Sequence, residues 1–296
     1  MQNNYILGID CGGTNIRMGL VDKSLKIFEH LNKKANLHAK ELTKLINDYV
    51  LKHQDKYNIK AISIGFPGIV DNKLKKVIHT PNLRDFEKND FLSLEKKLNI
   101  PIYLANDTNL LLLYDAFHFK IEKDESVLGF YLGTGFGNAI KLKDKLYLGD
   151  SGISGEIGHV PAYLNGIDFE KETQEDLETF VSGHTLIKIH EKHFKDTAFE
   201  EIFIKHLDSP VIKNFLYMLA FYIVTEITIL DVHTIILGGG VITSRQFPKD
   251  YLFNIIKRNL YSKKTKENIR VYFADSDQNS GILGAYLYAL EELGSI

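Results

Sequence analysis

The sequence predicts an α/β protein of two domains. A length of 296 residues exceeds what one small module needs. Strand-like and helix-like patterns alternate along the chain. One arrangement, strand then glycine turn then strand, opens the sequence and occurs again from Ser126. Residues 5–10 form an apolar run ending in Asp10, 11–15 a glycine turn and 16–21 a second strand, together a hairpin with a glycine-rich tip. Helical spacing covers 39–52, a short buried strand covers 61–66 before Pro67 and Gly68, and a strand over 101–105 precedes a helix over 108–119. The pattern restarts with strand 127–132, turn 133–137 and strand 138–142. Helices are expected over 177–193 and 210–230, followed by strand 234–237, the turn 238–240, a helix after Pro248, strand 270–274 and a helix over 281–293. The polar, acidic stretch 165–176 reads as a surface loop. These patterns give two halves, each opening with a glycine hairpin, facing each other across a cleft.

Composition narrows the function classes. Lys and Arg number 36 against 38 Asp and Glu, a net charge of −2 that is too balanced to attract phosphate backbones or anionic lipid. Nucleic acid and membranes are not expected partners. No apolar run approaches the roughly 18 residues that span a bilayer, and the start lacks the basic-then-apolar pattern of a signal peptide, so a cytoplasmic location is expected. A single cysteine, Cys11, excludes an intrachain disulfide and any cysteine-cluster metal site.

Glycines follow apolar strands three times: Gly12 and Gly13; Gly133, Gly135 and Gly137; and Gly238, Gly239 and Gly240. Backbone without Cβ atoms approaches a polyanion closely and aims N–H groups at phosphate oxygens, although tight hairpins also need glycine. No GxxxxGK[ST] loop is present, and no GxGxxG opens a helix, so neither a P-loop nor a Rossmann site is supported.

The run LGIDCGGTNIRMGLVD (7–22) resembles the first phosphate motif of the sugar kinase, actin and heat-shock ATPase superfamily, and within it the ROK family. GFPGIV (65–70), TPNL (80–83), NDTN (106–109), GTGFG (133–137), GEIGH (155–159), LETFVSG (177–183) and ILGGGV (236–241) follow in that family's order and approximate spacing. The resemblance implies a two-domain ribonuclease H-like, actin-like ATPase fold that binds ATP and a sugar in the cleft and phosphorylates a hydroxyl, the 6-OH of a hexose being expected.

Phosphoryl transfer needs two reactants held in line, charge stabilisation and removal of a hydroxyl proton. Asp107, just after a strand, is the candidate general base, a role the resemblance also gives it; the bland alternative is a helix cap. Asp10 is placed to orient hydrated Mg²⁺, with Gly12, Gly13 and Thr14 on phosphate oxygens. Gly133, Thr134 and Gly135 look like a second phosphate loop, and Gly238, Gly239 and Gly240 like an adenosine-side loop. For the sugar, Asn82, Asn106, Asp107, Glu156, His159 and Glu178 match family positions that supply hydrogen bonds, and Pro67 and Gly68 approach by backbone.

One departure stands out. ROK kinases commonly carry CxCGxxGC before the glutamate matching Glu178, and those cysteines bind zinc with the histidine matching His159. Here the stretch reads FEKETQEDLE, so no zinc is expected and His159 is oriented by hydrogen bonds. Asp168, Glu170 and Glu172 with His159 offer an alternative acidic set, more simply read as solvated; the pair His190 and His193 reads as a solvated helix face. Cys11 reads as a small packed residue.

GFPGIV followed by a basic stretch and TPNL, LETxxSG, and GGGV followed by Phe247 and Pro248 look closest to bacterial D-allose kinases. Glucokinase, N-acetylmannosamine kinase, fructokinase and β-glucoside kinase share the skeleton and stay open as alternatives. A ROK repressor is disfavoured because the first phosphate strand begins at Tyr5, and a silent sugar sensor because Asp10, Asp107 and Thr134 are all present. A homodimer is expected from the family, and so is a C-terminal helix that crosses back as in related kinases, which gives one domain of 1–120 with 280–296 and a second of 121–279.

Overall fold

In the computed structural model the described residues are 3–35, 39–80, 85–162, 175–275 and 277–294. The chain forms two compact units, one of Met1–His118, Leu148–Ile153 and Asp277–Ile296, the other of Phe119–Tyr147 and Ser154–Ser276.

The first unit opens with β1 (Asn4–Cys11), β2 (Asn15–Val21) and β3 (Ile27–Lys34), followed by α1 (Ala39–His53), β4 (Asn58–Phe66), a small hairpin of β5 (Ile69–Asp71) and β6 (Lys76–His79), α2 (Phe91–Leu98), β7 (Ile102–Asn106) and α3 (Asp107–His118). The main sheet runs β3-β2-β1-β4-β7. Its first three strands are antiparallel neighbours, while β4 and β7 lie parallel to β1 and to each other. In β1, residues 6–9 are all buried, the continuous apolar run of a strand covered on both faces. Leu7, Ile9 and Cys11 join Leu42, Ile46 and Val50 of α1 in one core, the helical spacing of 42, 46 and 50 presenting a single stripe. β3 went unread in the sequence because its residues are largely exposed and lack apolar alternation. α2 is also additional to the sequence reading; Asp90 caps it, accepting the Ser93 N–H at 2.9 Å.

The second unit contains β8 (Val127–Leu132), β9 (Phe136–Leu142), β10 (Lys145–Leu146), α4 (Leu177–Phe180), α5 (Gly183–His193), α6 (Ile202–His206), α7 (Pro210–Leu230), β11 (Thr234–Gly238), α8 (Gly239–Ile242), α9 (Lys249–Asn259), α10 (Lys263–Asn268) and β12 (Arg270–Phe273). Its sheet runs β10-β9-β8-β11-β12, again three antiparallel neighbours followed by two parallel strands. The continuous helix expected over 177–193 is broken. Val181 leaves the helical region, Ser182 is extended, and the Ser182 hydroxyl caps α5 by accepting the Thr185 N–H at 3.1 Å. A serine cap of this kind stabilises a helix by about 1 kcal/mol. The turn expected at 238–240 instead starts the short helix α8.

α7 departs from the sequence reading in another respect: it has the length and apolar composition to cross a membrane. Its buried face, from Ile212 through Leu219 and Ile223 to Ile227, lies in the core of this unit, as expected of a core helix. The acidic stretch 165–176 falls mostly outside the described residues; at its end Glu175 accepts the Ala162 N–H at 2.9 Å.

The chain then returns to the first unit as α11 (Ser280–Glu292), packed on β1 and α3. Glycines allow the approach: a Cβ at Gly8 would collide with the Ile282 carbonyl, and one at Gly284 with the Leu110 carbonyl.

Candidate functional site

In the first unit, the carboxyl ends of the parallel strands line up in register. Asp10 of β1 is level with Gly65 of β4, and Gly65 with Ala105 of β7, two residues before Asp107. Two interstrand spacings separate the Asp10 and Ala105 backbones, about 10 Å. In open α/β sheets this edge is where ligands bind.

Asp10 is paired with Arg17 across the hairpin at 3.3 Å, the two being register partners. Burial pushes its carboxyl above the ordinary value, and the guanidinium offsets part of that. In the adjoining turn, the Gly12 N–H bonds the Asn15 carbonyl at 3.0 Å, while Gly13 and Thr14 are exposed at the tip. Cys11 is fully buried, and burial first, then the charges of Asp10 and Asp107, hold its thiol well above the usual range.

The cap of α3 is Asn106. Its Oδ1 accepts the N–H groups of Thr108 at 2.8 Å and Asn109 at 3.3 Å, and its Nδ2 donates to the Gly68 carbonyl at 2.9 Å. One side chain thereby fixes both the helix start and the Pro67–Gly68 loop. Asp107 Oδ1 accepts from the Thr108 N–H at 2.8 Å and from the Thr108 hydroxyl at 3.3 Å. Helix capping therefore falls to Asn106 as well as to the residue singled out from sequence. Asn82 lies outside the described residues.

In the second unit the turn after β8 is braced from two sides. The Gly133 N–H bonds the Gly135 carbonyl at 3.0 Å, and the start of α5 donates to it through Gly183 N–H to the Gly133 carbonyl at 2.8 Å and His184 N–H to the Thr134 carbonyl at 3.2 Å. Glu178 Oε2 accepts the Phe136 N–H at 2.8 Å. A Cβ at Gly135 would lie 2.9 Å from Glu178 Cδ and closer still to Oε2, so only glycine admits this carboxylate. Glu178 thus supports the phosphate-loop candidate, a link that linear spacing does not reveal.

Two glycines of the second unit stand apart from their neighbours. Around Gly133 and Gly240 a Cβ would meet nothing within 4 Å, whereas Gly238 and Gly239 are packed against Tyr131 and Leu132. Both follow adjacent parallel strands, β8 and β11, at their carboxyl ends. Backbone with open space where a side chain would stand suits a polyphosphate or a nucleotide.

Gly155–His159 forms a turn ending in a short 3-10 helix, Ile157–His159. His159 Nδ1 lies 3.1 Å from Asp176 Oδ2, and Nε2 lies 3.9 Å from Glu156 Oε2. The Asp176 contact, with help from the Glu156 and Glu178 charges, raises the His159 imidazole above its ordinary value. Asp168, Glu170 and Glu172 lie outside the described residues. His190 is not the solvated group expected: its Nε2 meets the Thr197 carbonyl at 2.6 Å and its ring packs edge-on to Phe199.

The repeated sheet order, three antiparallel strands and two parallel ones, is the ribonuclease H-like plan of the actin-like ATPases. Residues 6–292 match the ROK family, and the chain belongs to that family. It is 27% identical over 301 residues to N-acetyl-D-glucosamine kinase of Histophilus somni, covering 94% of this chain and 96% of that one. It is also 24% identical over 272 residues to the xylose repressor of Bacillus subtilis, covering 88% of this chain and 70% of the repressor. Among solved structures, a ROK family glucokinase from Streptomyces griseus in complex with glucose and AMPPNP has a TM-score of 0.74 at 22% identity, covering 95% of this chain and 97% of that one.

Proposed function

We propose that the protein is an ATP-dependent sugar kinase that phosphorylates the 6-OH of a hexose, with D-allose the preferred substrate and a homodimer the working form. The observation that carries the reading is the open backbone at Gly133 and Gly240, which suits a nucleotide, in a chain whose first unit holds Asp10 and Asp107 along one sheet edge. The kinase relative that aligns over nearly its whole length supports it.

ATP supplies the phosphoryl group, and Mg²⁺ neutralises charge on it. Asp107 takes the hydroxyl proton as the oxygen attacks, its carboxylate aimed by the Thr108 N–H. Asp10 orients the hydrated cation, held by Arg17 against the neutral form that burial favours. Gly12, Gly13 and Thr14, with Gly133, Thr134 and Gly135, present backbone and hydroxyl donors to phosphate oxygens, and Gly238, Gly239 and Gly240 accommodate the adenosine side. Asn106, Glu156, His159, Glu178, Asn82, Pro67 and Gly68 hold the sugar hydroxyls. A site built on hydrogen bonds discriminates epimers strongly, because a misplaced hydroxyl leaves a buried partner unmet.

The test measures ADP release with Mg·ATP over D-allose, D-glucose, D-mannose, N-acetylglucosamine, N-acetylmannosamine and D-fructose. Turnover with D-allose at the highest kcat/KM is expected; preference for another hexose keeps the kinase and removes the allose assignment. The similarity to xylose repressors favours one second reading, a sugar sensor without turnover. Sugar binding by calorimetry with no ADP release from any of the six would establish that reading instead.

A further inference from the structure

The core helix α7 carries one acid inward, Glu226, between the buried Ile223 and Ile227. Both of its carboxyl oxygens are buried without a hydrogen-bond partner among the described residues, and so is Oδ1 of Asn138 on β9. Asn138 is the polar neighbour of Glu226, and its Nδ2 donates to the Gly129 carbonyl at 2.9 Å. An ionised carboxylate here would be a buried charge without a cation, whereas a carboxylic acid pairs with a carboxamide: the acid O–H donates to the amide oxygen and the amide N–H to the acid oxygen. One added proton therefore satisfies the orphaned acceptors. Burial favours that form, pushing the Glu226 carboxyl up to about 8. Burial raises it and Asn138 offsets part of the rise, with no contribution from a charged group.

Asn138 in turn abuts the turn that carries two sugar-site candidates. Gly155 has φ +87°, and a Cβ there would lie 2.6 Å from the Asn138 carbonyl oxygen and 3.2 Å from its Oδ1. The next residue is Glu156, and His159 follows three further on.

We propose that Glu226, as the neutral acid, is a positioning residue: paired with Asn138, it fixes the surface on which Gly155 rests and thereby sets the place of Glu156 and His159. The sugar-binding consequence rests on the kinase reading above; the ordering of the 155–159 turn does not.

Two variants test it, Glu226→Gln, whose amide replaces the acid's donor, and Glu226→Leu, which removes it. Hydrogen exchange of the peptide spanning 155–159 is expected to quicken about tenfold in Glu226→Leu, the worth of one buried hydrogen bond, and to stay at the wild-type rate in Glu226→Gln. With the preferred sugar, KM rises by a similar factor in Glu226→Leu while kcat changes less than about twofold, and Glu226→Gln restores KM. Equal loop exchange in all three proteins, or a Gln variant that behaves like Leu, overturns the proposal. Infrared spectra supply a readout that does not depend on the Leu variant folding. The carbonyl stretch of a protonated buried acid is expected in the wild type at pH 6.5 and missing in Glu226→Gln; identical spectra refute the neutral acid. If no sugar is phosphorylated, the kinase reading fails, and the exchange and infrared results still decide the positioning.

Discussion

Replacing each of three glycines by alanine separates backbone that faces a ligand from backbone that faces protein. Gly133→Ala and Gly240→Ala add a methyl group where no atom lies within 4 Å, so each folded protein is expected to keep its stability within about 0.5 kcal/mol. Gly135→Ala drives the methyl into the Glu178 carboxylate, which must retreat and release the Phe136 N–H. Losing a hydrogen bond to a charged group costs about 1.5–3 kcal/mol. Nucleotide binding is expected to report the opposite order of effects. A non-hydrolysable ATP analogue at 100 times its dissociation constant stabilises the wild type by about 2.7 kcal/mol, and a tenfold weaker affinity removes about 1.4 kcal/mol of that. At roughly 2–4 °C per kcal/mol, the ligand-induced rise in melting temperature shrinks by about 3–6 °C in Gly133→Ala and Gly240→Ala, with the unliganded melting temperature unchanged. Thermal melts with and without the analogue and Mg²⁺ measure both quantities. A full wild-type rise in both variants would refute the argument that open glycine backbone marks the nucleotide site.

Three further outcomes are expected. Asp107→Asn keeps the Oδ1 acceptor used by Thr108 and so keeps its melting temperature, while kcat falls by about 10²–10⁴, read by ADP release. Asp176→Asn removes the main cause of the raised His159 imidazole; a proton NMR titration then shows a lower midpoint. That histidine's contribution, present in full below its ordinary 6.5 and lost as pH climbs through its folded value, disappears from the stability profile. Glu226 binds its proton more tightly folded than unfolded, so its contribution is complete below 4.5 and is lost as pH rises toward about 8, at up to about 1.4 kcal/mol per pH unit. Glu226→Gln is expected to flatten urea-melt stability across that window, and an unchanged slope would contradict the assignment.

The periodic elements were legible because each buries a regular stripe: the run at 127–132 and the helix over 210–230 have the bounds that their apolar spacing predicts. β3 left no such trace, since most of its side chains are exposed, its partly buried ones do not alternate, and its pairing with β2 makes it a strand. The break at Val181 and Ser182 was hidden for a different reason. The residues there continue a helical pattern, and what ends the helix is a serine cap together with the Gly183 bond to Gly133, 50 positions away in sequence. The site shows the same division. Asp10 and the glycines announce themselves by their place after apolar strands, whereas the double duty of Asn106 and the pairing of Glu178 with Phe136 arise only when distant segments meet.

The seat of α11 on β1 and α3 also sets an order of events at the ribosome. Residues 4–118 emerge early, yet the face of β1 around Gly8 stays uncovered until Ile282 has been made. At roughly 5–20 residues per second that wait lasts on the order of 10–30 s, long enough for the intervening segment to fold first. A nascent chain halted near residue 270 therefore exposes an apolar sheet face to chaperones and proteases, and synthesis of the next two dozen residues withdraws it.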